Sequence, residues 1–111
     1  MIKQKTLCII CARGGSKRLK NKNLKNLFGK PLIYHTIYQA KESKIFDKIV
    51  FSSDSSSLRK IAKKYGAESW FERPKKLSND KAAKMPVIRH AVTESEKKFG
   101  VNFDYIFDLD V

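Results

Sequence analysis

The stretch 6-TLCIICARGGSKRLKNKN-23 joins an apolar run to a loop rich in glycine and basic residues. Its first part, Thr6 to Cys11, is continuous rather than alternating in character, which is typical of a parallel strand covered on both faces. Two adjacent glycines and five Lys or Arg side chains follow at once. Because like charges crowded on a short loop repel one another, the stretch predicts a buried parallel strand whose carboxyl end carries an anion site.

Outward from this strand, apolar strand-like runs alternate with segments of helical period. Pro31 suits the first turn of a helix, and Ile33, Ile37 and Ala40 follow at i, i+4 and i+7. The later predicted elements are a strand at 48–52, a helix from residues 54–57 to Gly66, a strand at 68–71, a helix around 87–95 and a strand at 105–109. The order βαβαβαβ predicts an α/β fold with a mainly parallel sheet, right-handed crossovers and helices on its faces.

The positive charge is concentrated in the first third of the chain. The 111 residues are enough for one domain with its own core, and their formal net charge is +13. Residues 1–41 contain ten Lys or Arg and no acidic residue. A polyanion-binding surface over the whole protein is therefore not required. No run approaches the roughly 18 apolar residues of a membrane span, and no signal-peptide pattern precedes the first strand, so we expect a soluble cytoplasmic protein.

The basic loop has the chemistry of a phosphate cradle. Ligands of parallel α/β sheets bind beyond the carboxyl ends of the strands, where this loop begins. Glycine amides can point at phosphate oxygens, arginine offers a planar fork, and lysine and serine add a charge and a hydroxyl. The residues that supply these groups are Arg13, Gly14, Gly15, Ser16, Lys17 and Lys22. The G-x-x-x-x-G-K-[ST] and G-x-G-x-x-G patterns are both absent, and a merely solvated lysine-rich loop leaves the glycine pair unexplained.

Other chemistry-bearing residues have simpler interpretations. Cys8 and Cys11 have the C-x-x-C spacing of a redox pair or half a zinc site, but positions three apart on a strand face opposite ways, which favours two core thiols. His35 and His90 fall within predicted helices without the partners of a catalytic triad, so packing or surface roles are favoured.

The acidic candidates for a metal site can each take a role that needs no metal. Asp54 stands where a helix begins, and an N-cap role is favoured there over metal binding. Asp108 and Asp110 are one strand repeat apart and share a face, so they can bind Mg²⁺ together or be solvated. No metal ligand is assigned from the sequence.

Several motifs in order resemble one enzyme family. "CARGGSKRLKNKN" (11–23) followed by "GKPLIYHTI" (29–37) resembles the amino-terminal half of the cytidylyltransferases that activate sialic acid and related nine-carbon acids. Their signature reads A-R-G-G-S-K, then K-N, then G-K-P-L-I. "FDKIVFSSDS" (46–55), "AKKYGAE" (62–68), "RP" (73–74) and "LSNDKA" (77–82) are similar to later family segments. The resemblance covers essentially the whole chain.

The resemblance implies a three-layer, Rossmann-like nucleotidyltransferase fold with a truncated βαβαβαβ portion here. Residues 1–111 are then the amino-terminal CTP-binding part of a single cytidylyltransferase domain. By the same resemblance, the rest of the domain, the later acidic metal ligands and the dimerisation segment lie beyond Val111. We expect such a fragment to be inactive alone.

The resemblance also implies roles for individual residues in binding CTP. Arg13, Ser16 and Lys17 would hold the phosphates, together with the amides of Gly14 and Gly15. The implied co-substrate is CTP, accompanied by Mg²⁺.

Beyond the phosphates, Lys22 would lie near the reacting α-phosphate, which makes it and Arg13 the catalytic candidates. Asn23 would contact the ribose, and Arg73 would help to read the cytosine near the backbone of Asp80 and Ala82. Asp110 stands where the sialic-acid enzymes carry glutamine, which suggests that it contacts another nonulosonic acid such as legionaminic acid. Ala82 and Lys84 stand where some members have serines near the ligand, so hydroxyl contacts there remain open.

The implied reaction is attack by the anomeric hydroxyl of a nine-carbon sugar acid on the α-phosphorus of CTP, giving the CMP-sugar and pyrophosphate. The implied partners are these two substrates and, for the full-length protein, a second copy in a homodimer, with no nucleic acid or membrane. One alternative is the cytidylyltransferase of the eight-carbon lipopolysaccharide sugar acid, whose loop usually reads like A-R-x-x-S-x-R-x-P-G-K. The other is a basic nucleic-acid-binding module, although Phe28 is the only aromatic residue between positions 1 and 33.

Overall fold

The first apolar run is the central strand of a parallel sheet. The computed structural model describes residues 5–12, 26–27, 29–74, 76 and 84–111, and in these ranges a three-stranded sheet has the order β4-β1-β5. The elements in chain order are β1 (Thr6–Cys11), β2 (Asn26–Leu27), β3 (Lys30–Pro31), α1 (Leu32–Ser43), β4 (Lys48–Ser52), α2 (Ser56–Lys64), α3 (Lys84–Phe99) and β5 (Tyr105–Asp110). Both partners of β1 run parallel to it, which confirms the predicted α/β class.

The side chains of β1 are buried on both faces of the sheet, as its continuous apolar character predicts. Cys8 and Ile10 pack with α1 and α2 on one face. Leu7 and Ile9 pack on the other face with Ala91 of α3. The sheet therefore lies between two helical layers, and two-sided burial supplies much of the apolar area that stabilises the fold.

Each helix buries one stripe of residues at helical spacing. The stripe of α1 is the one predicted from the sequence, whereas α3 begins earlier and ends later than its predicted core. The buried residues are Ile33, Ile37 and Ala40 in α1, Leu58 and Ala62 in α2, and Val87, Ala91 and Ser95 in α3. Gly66 and Gly100 follow the last two helices with positive φ values of 105° and 67°, a conformation that glycine adopts readily.

The predicted third strand at 68–71 is wrong in its extent. Only Glu68 forms a parallel bridge with Val50 of β4. Trp70 and Phe71 both pack into the core on the α3 face, with their ring centroids 5.0 Å apart. Because consecutive residues of a strand point to opposite faces, this arrangement is incompatible with a continued strand.

A short antiparallel pair, β2 with β3, leads directly into α1 and was not expected from the sequence. Asn26 pairs with Pro31 and Leu27 with Lys30, and Gly29 between them has a φ of 79°. Pro31 is the residue immediately before the helix, so its fixed φ of −59° helps to set where α1 begins.

The N-cap of α2 is Ser55, within the range 54–57 where the sequence places the start of this helix, and not Asp54, for which a cap role was favoured over metal binding. The Ser55 hydroxyl accepts a hydrogen bond from the Leu58 amide at 3.2 Å. The Ser55 amide in turn donates to the Ser53 hydroxyl at 3.1 Å. The first turn of α2 is thus tied to the carboxyl end of β4.

We expect Ser55→Ala to lower the free energy of unfolding by about 1 kcal/mol, because an amide of the first turn loses its acceptor. Chemical denaturation followed by circular dichroism measures this difference. Ser57→Ala is the matched control, since Ser57 is exposed in the same turn and alanine is the better helix former. Equal free energies of unfolding for the two variants would contradict the assignment of the cap to Ser55.

Candidate functional site

The candidate site lies at the carboxyl edge of the sheet, where β1, β4 and β5 end together. Cys11 pairs in register with Ser52 of β4 and with Asp110 of β5. The Ala12 amide donates to the Ser52 carbonyl at 3.1 Å, so the chain is still held against β4 as it leaves β1. The basic glycine loop therefore begins at the edge where ligands of such sheets bind.

Arg73 is fixed beneath this edge and is only 4% exposed. Its Nη2 donates to the Ser52 carbonyl at 2.9 Å, and its Nε donates to the Ser52 hydroxyl at 3.3 Å. Its backbone amide also donates to the Ser53 carbonyl at 3.2 Å. Charge-assisted hydrogen bonds of this kind hold the arginine against the end of β4 and place a positive charge under the site.

Lys84, the first residue of α3, lies between two carboxylates at the end of β5. Its Nζ is 3.2 Å from Asp108 Oδ2 and also donates to Asp110 Oδ1. Burial alone would lower the pKa of Lys84, but its bonds to Asp110 and Asp108 outweigh burial and raise that pKa above its ordinary value. Lys84 is consequently a fixed cation at the rim of the site, and its side chain is 43% exposed.

Cys11 lies among these charges. Burial raises the pKa of its thiol to about 11; Arg73 and Lys84 act in the opposite direction, and the two aspartates reinforce the rise. Cys8 lies on the other face of the sheet, where burial, followed by the nearby charge of Asp108, raises its pKa to about 12. Both thiols are free and remain protonated at neutral pH, which supports the interpretation as core cysteines rather than a redox or zinc pair.

Two of the site residues predicted from the sequence fall within the described ranges. Arg73 and Asp110 lie at the same edge: Arg73 binds Ser52, and both Ser52 and Asp110 pair in register with Cys11. The other predicted site residues lie outside the described residues: Arg13, Gly14, Gly15, Ser16, Lys17, Lys22, Asn23, Asp80 and Ala82. Their roles stay predictions.

Sequence reasoning named Lys84 only as a residue that replaces a serine near the ligand and did not recognise its ion pairs with Asp108 and Asp110. A cation in the first turn of a helix is opposed by the helix dipole, and α3 has no acidic residue in that turn. A lysine in that position therefore calls for acidic partners from elsewhere in the fold. The two aspartates of β5, spaced to share a face, were the signal that could have identified them.

Metal binding has little support within the described ranges. No group of three or more His, Cys, Asp or Glu there could hold a metal ion. Asp108 and Asp110, the acidic pair considered for Mg²⁺ from the sequence, both bind the Lys84 ammonium. His90 packs against the Phe71 ring with its Nδ1 buried, as its packing interpretation predicts.

Across the residues that the structure describes, none of the helices has both the length and the apolar character needed to traverse a lipid bilayer.

Comparison with known proteins shows which protein family the chain belongs to. The family model for cytidylyltransferases matches residues 7–103, from β1 to just before β5. The chain therefore belongs to the cytidylyltransferase family. This result supports the nucleotidyltransferase interpretation over a nucleic-acid-binding module.

The chain is also similar in sequence to individual proteins of known name. The chain is 51% identical over 104 residues to the post-translational flagellin modification protein B of Campylobacter coli, covering 94% of this chain and 44% of that protein. It is 48% identical to the CMP-N,N'-diacetyllegionaminic acid synthase of Campylobacter jejuni, with the same coverage of 94% and 44%. The N-acylneuraminate cytidylyltransferase of Escherichia coli is 41% identical over 83% of this chain and 22% of that protein. The chain thus spans less than half the length of these relatives.

The fold has a counterpart among solved structures. CMP:2-keto-3-deoxy-manno-octonic acid synthetase complexed with CTP superposes with a TM-score of 0.73 at 24% identity, covering 96% of this chain and 40% of that one. At this level of identity the likeness concerns the fold, and it supports a Rossmann-like nucleotidyltransferase architecture of which this chain is a portion.

Proposed function

We propose that the protein containing this chain transfers CMP from CTP to a nonulosonic acid, releasing pyrophosphate. The observation that carries the proposal is that β1 ends at the carboxyl edge where Arg73 binds Ser52 and Asp110 pairs with Cys11, and that the sequence continues from β1 into the glycine-rich basic motif. The 48% identity with a CMP-N,N'-diacetyllegionaminic acid synthase supports a sugar acid of the legionaminic type. Residues 1–111 then form the amino-terminal, CTP-binding part of one catalytic domain.

In the proposed reaction the anomeric hydroxyl oxygen of the sugar acid forms a bond to the α-phosphorus of CTP. The bond from that phosphorus to the β-phosphate oxygen breaks, pyrophosphate takes the electron pair, and the hydroxyl proton passes to solvent or a base. The chemistry depends on positioning the reactants and on balancing the negative charge that crowds the phosphates.

The residues around the phosphates have the groups that this charge balance requires. Arg13, Ser16 and Lys17, with the amides of Gly14 and Gly15, bind the triphosphate in this proposal. The cationic side chains offset its charge, and the glycines let its oxygens approach the backbone.

The remaining site residues bind the reacting α-phosphate, the nucleoside of CTP and the sugar acid in this proposal. Lys22 lies by the α-phosphate and, with Arg13, stabilises the transition state. Asn23 binds the ribose, and Arg73 reads the cytosine with the backbone near Asp80 and Ala82. Asp110 receives hydroxyl or amide hydrogen bonds from the sugar acid.

Magnesium enters the proposed reaction with the triphosphate, whose charge it would help to neutralise. Asp108 and Asp110 are both bound to the Lys84 ammonium, so neither is assigned as a ligand for Mg²⁺. We further propose that the whole protein is cytoplasmic and acts as a homodimer.

The nucleotide specificity is tested by thermal denaturation of the protein that contains this chain. We expect CTP with Mg²⁺ to raise the melting temperature more than equal concentrations of ATP or GTP do, because a ligand at 100 times its Kd adds about 2.7 kcal/mol to the free energy of unfolding. ATP and GTP are matched controls, since they carry the same triphosphate. Equal shifts for all three nucleotides would remove the cytidine assignment.

A further inference from the structure

The cluster formed by Lys84, Asp108 and Asp110 lies on the sheet face covered by α3, at the end where the site opens. In register, Asp108 stands beside Ile9 and Asp110 beside Cys11. The Asp110 side chain is 76% exposed and that of Lys84 is 43% exposed, so both are accessible to a ligand. Lys84 is held from two sides, which fixes the position of its ammonium.

Stability alone is a weak explanation for this lysine. Ion pairs as exposed as the one between Lys84 and Asp110 contribute little to the free energy of unfolding. A cation in the first turn of α3 is also opposed by the helix dipole. The two aspartates outweigh that opposition, so the fold fixes a cation at the rim of the site with little gain in stability, which directs attention to a role in binding.

We infer that Lys84 is a specificity-determining residue that receives the carboxylate of the sugar acid. This inference rests on the proposed function and adds to it, because the role given to Asp110 leaves the substrate's own charge unmatched. An acid approaching Asp108 and Asp110 alone would meet two negative charges. Lys84 offsets one of these two charges and offers the substrate carboxylate an N–H donor.

The hydrogen-bonding capacity of the cluster fits a polyhydroxylated acid. An ammonium has three N–H donors, and within the described ranges two carboxylates engage Lys84, which leaves it one donor for a substrate carboxylate. One oxygen of Asp110 is engaged by Lys84, and the other can accept from a hydroxyl or N-acyl amide. Arg73 is less suited to this role because its guanidinium is bonded to Ser52 and the proposed function assigns it to the cytosine.

The test uses Lys84→Met in the whole protein that contains this chain, with Lys97→Met as the matched control on the exposed last turn of the same helix. We expect the KM for N,N'-diacetyllegionaminic acid to rise by roughly 10-fold or more in Lys84→Met, as for loss of a charge-assisted contact. The kcat and the affinity for CTP should change less than about 3-fold, since the triphosphate is held by other residues. Lys84→Arg should retain most of the affinity.

A neutral analogue separates charge recognition from a structural role. Binding of the acid and of its C1 carboxamide is measured by calorimetry in the presence of α,β-methylene-CTP, which cannot transfer CMP. We expect Lys84→Met to weaken binding of the acid by roughly 10-fold and binding of the carboxamide by less than about 2-fold. Equal losses for both ligands would show that Lys84 acts only by supporting the fold.

The outcomes also separate this inference from the proposed function. An unchanged KM for the acid in Lys84→Met, with CTP binding intact, would overturn the inference while leaving the cytidylyltransferase proposal in place. Failure of the unmodified protein to bind CTP, or to form a CMP-sugar from any nonulosonic acid, would overturn both.

Discussion

Replacing Arg73 by methionine is expected to lower the free energy of unfolding by about 2 to 3 kcal/mol, the range for leaving buried hydrogen-bonding groups without their charged partner. Methionine keeps much of the apolar volume but cannot donate to the Ser52 carbonyl or hydroxyl. Because this chain spans only 44% of the length of its relatives, the whole protein is larger, and its melting temperature should fall by roughly 2 to 4 °C for each kcal/mol. Urea denaturation gives the free energy, and a thermal scan gives the temperature.

Arg89→Met is the control for this prediction, because Arg89 is an exposed arginine on α3. We expect it to change the free energy of unfolding by less than about 0.5 kcal/mol. If the two variants unfold at the same denaturant midpoint, then Arg73 does not anchor the end of β4. Measuring CTP affinity on the folded Arg73→Met protein addresses the separate question of whether this arginine also reads the cytosine.

The parts of the fold that follow from local pattern could be predicted from the sequence. The continuous apolar run of β1 predicts burial on both faces, and Leu7 and Cys8 are indeed buried on opposite sides. The spacing of Ile33, Ile37 and Ala40 identifies the buried stripe of α1. In both cases the side chains that matter are neighbours within one element, so their period carries the information.

The failed predictions concern choices that the local pattern leaves open. Trp70 and Phe71 are aromatic residues, a type that is common in strands, yet both rings pack on the same side beside α3. Asp54 and Ser55 are adjacent, and both are residue types that cap helices well. The hydrogen bond from the Leu58 amide shows that Ser55 is the N-cap. Tertiary packing settles each case, and a single sequence does not display it.

In the candidate site too, groups that are adjacent in sequence could be predicted, whereas contacts between distant positions could not. The glycine-rich basic loop could be proposed as a phosphate site because all of its groups are adjacent in sequence, and that role stays a prediction. The contact between Lys84 and Asp110 spans 26 positions, and the one between Arg73 and Ser52 spans 21. Such pairs form only when the parallel strands bring their carboxyl ends together, which makes them products of topology rather than of local sequence.

Arg13→Ala is expected to weaken CTP binding by about 1.5 to 3 kcal/mol, the contribution of a charge-assisted hydrogen bond, which corresponds to roughly 10- to 150-fold in Kd. Arginine presents two parallel donors to a phosphate, a geometry that the lysines and the serine of the loop do not offer. Isothermal titration of the protein that contains this chain with CTP and Mg²⁺ measures the loss. The free energy of unfolding without nucleotide should stay nearly unchanged if the role of Arg13 is to bind phosphate.

Arg18→Ala is the matched control, since it removes the same side chain and the same charge from the same loop. If Arg13 contacts the phosphates and Arg18 is a solvated neighbour, Arg18→Ala weakens only the general attraction of the loop for anions. Added salt screens this attraction, so the loss of CTP affinity in Arg18→Ala should shrink as the salt concentration rises. We therefore expect the two variants to separate most clearly at high ionic strength, where the contact of Arg13 persists. Equal losses that disappear together in salt would mean that the loop attracts CTP through its net charge, with no specific place for either arginine.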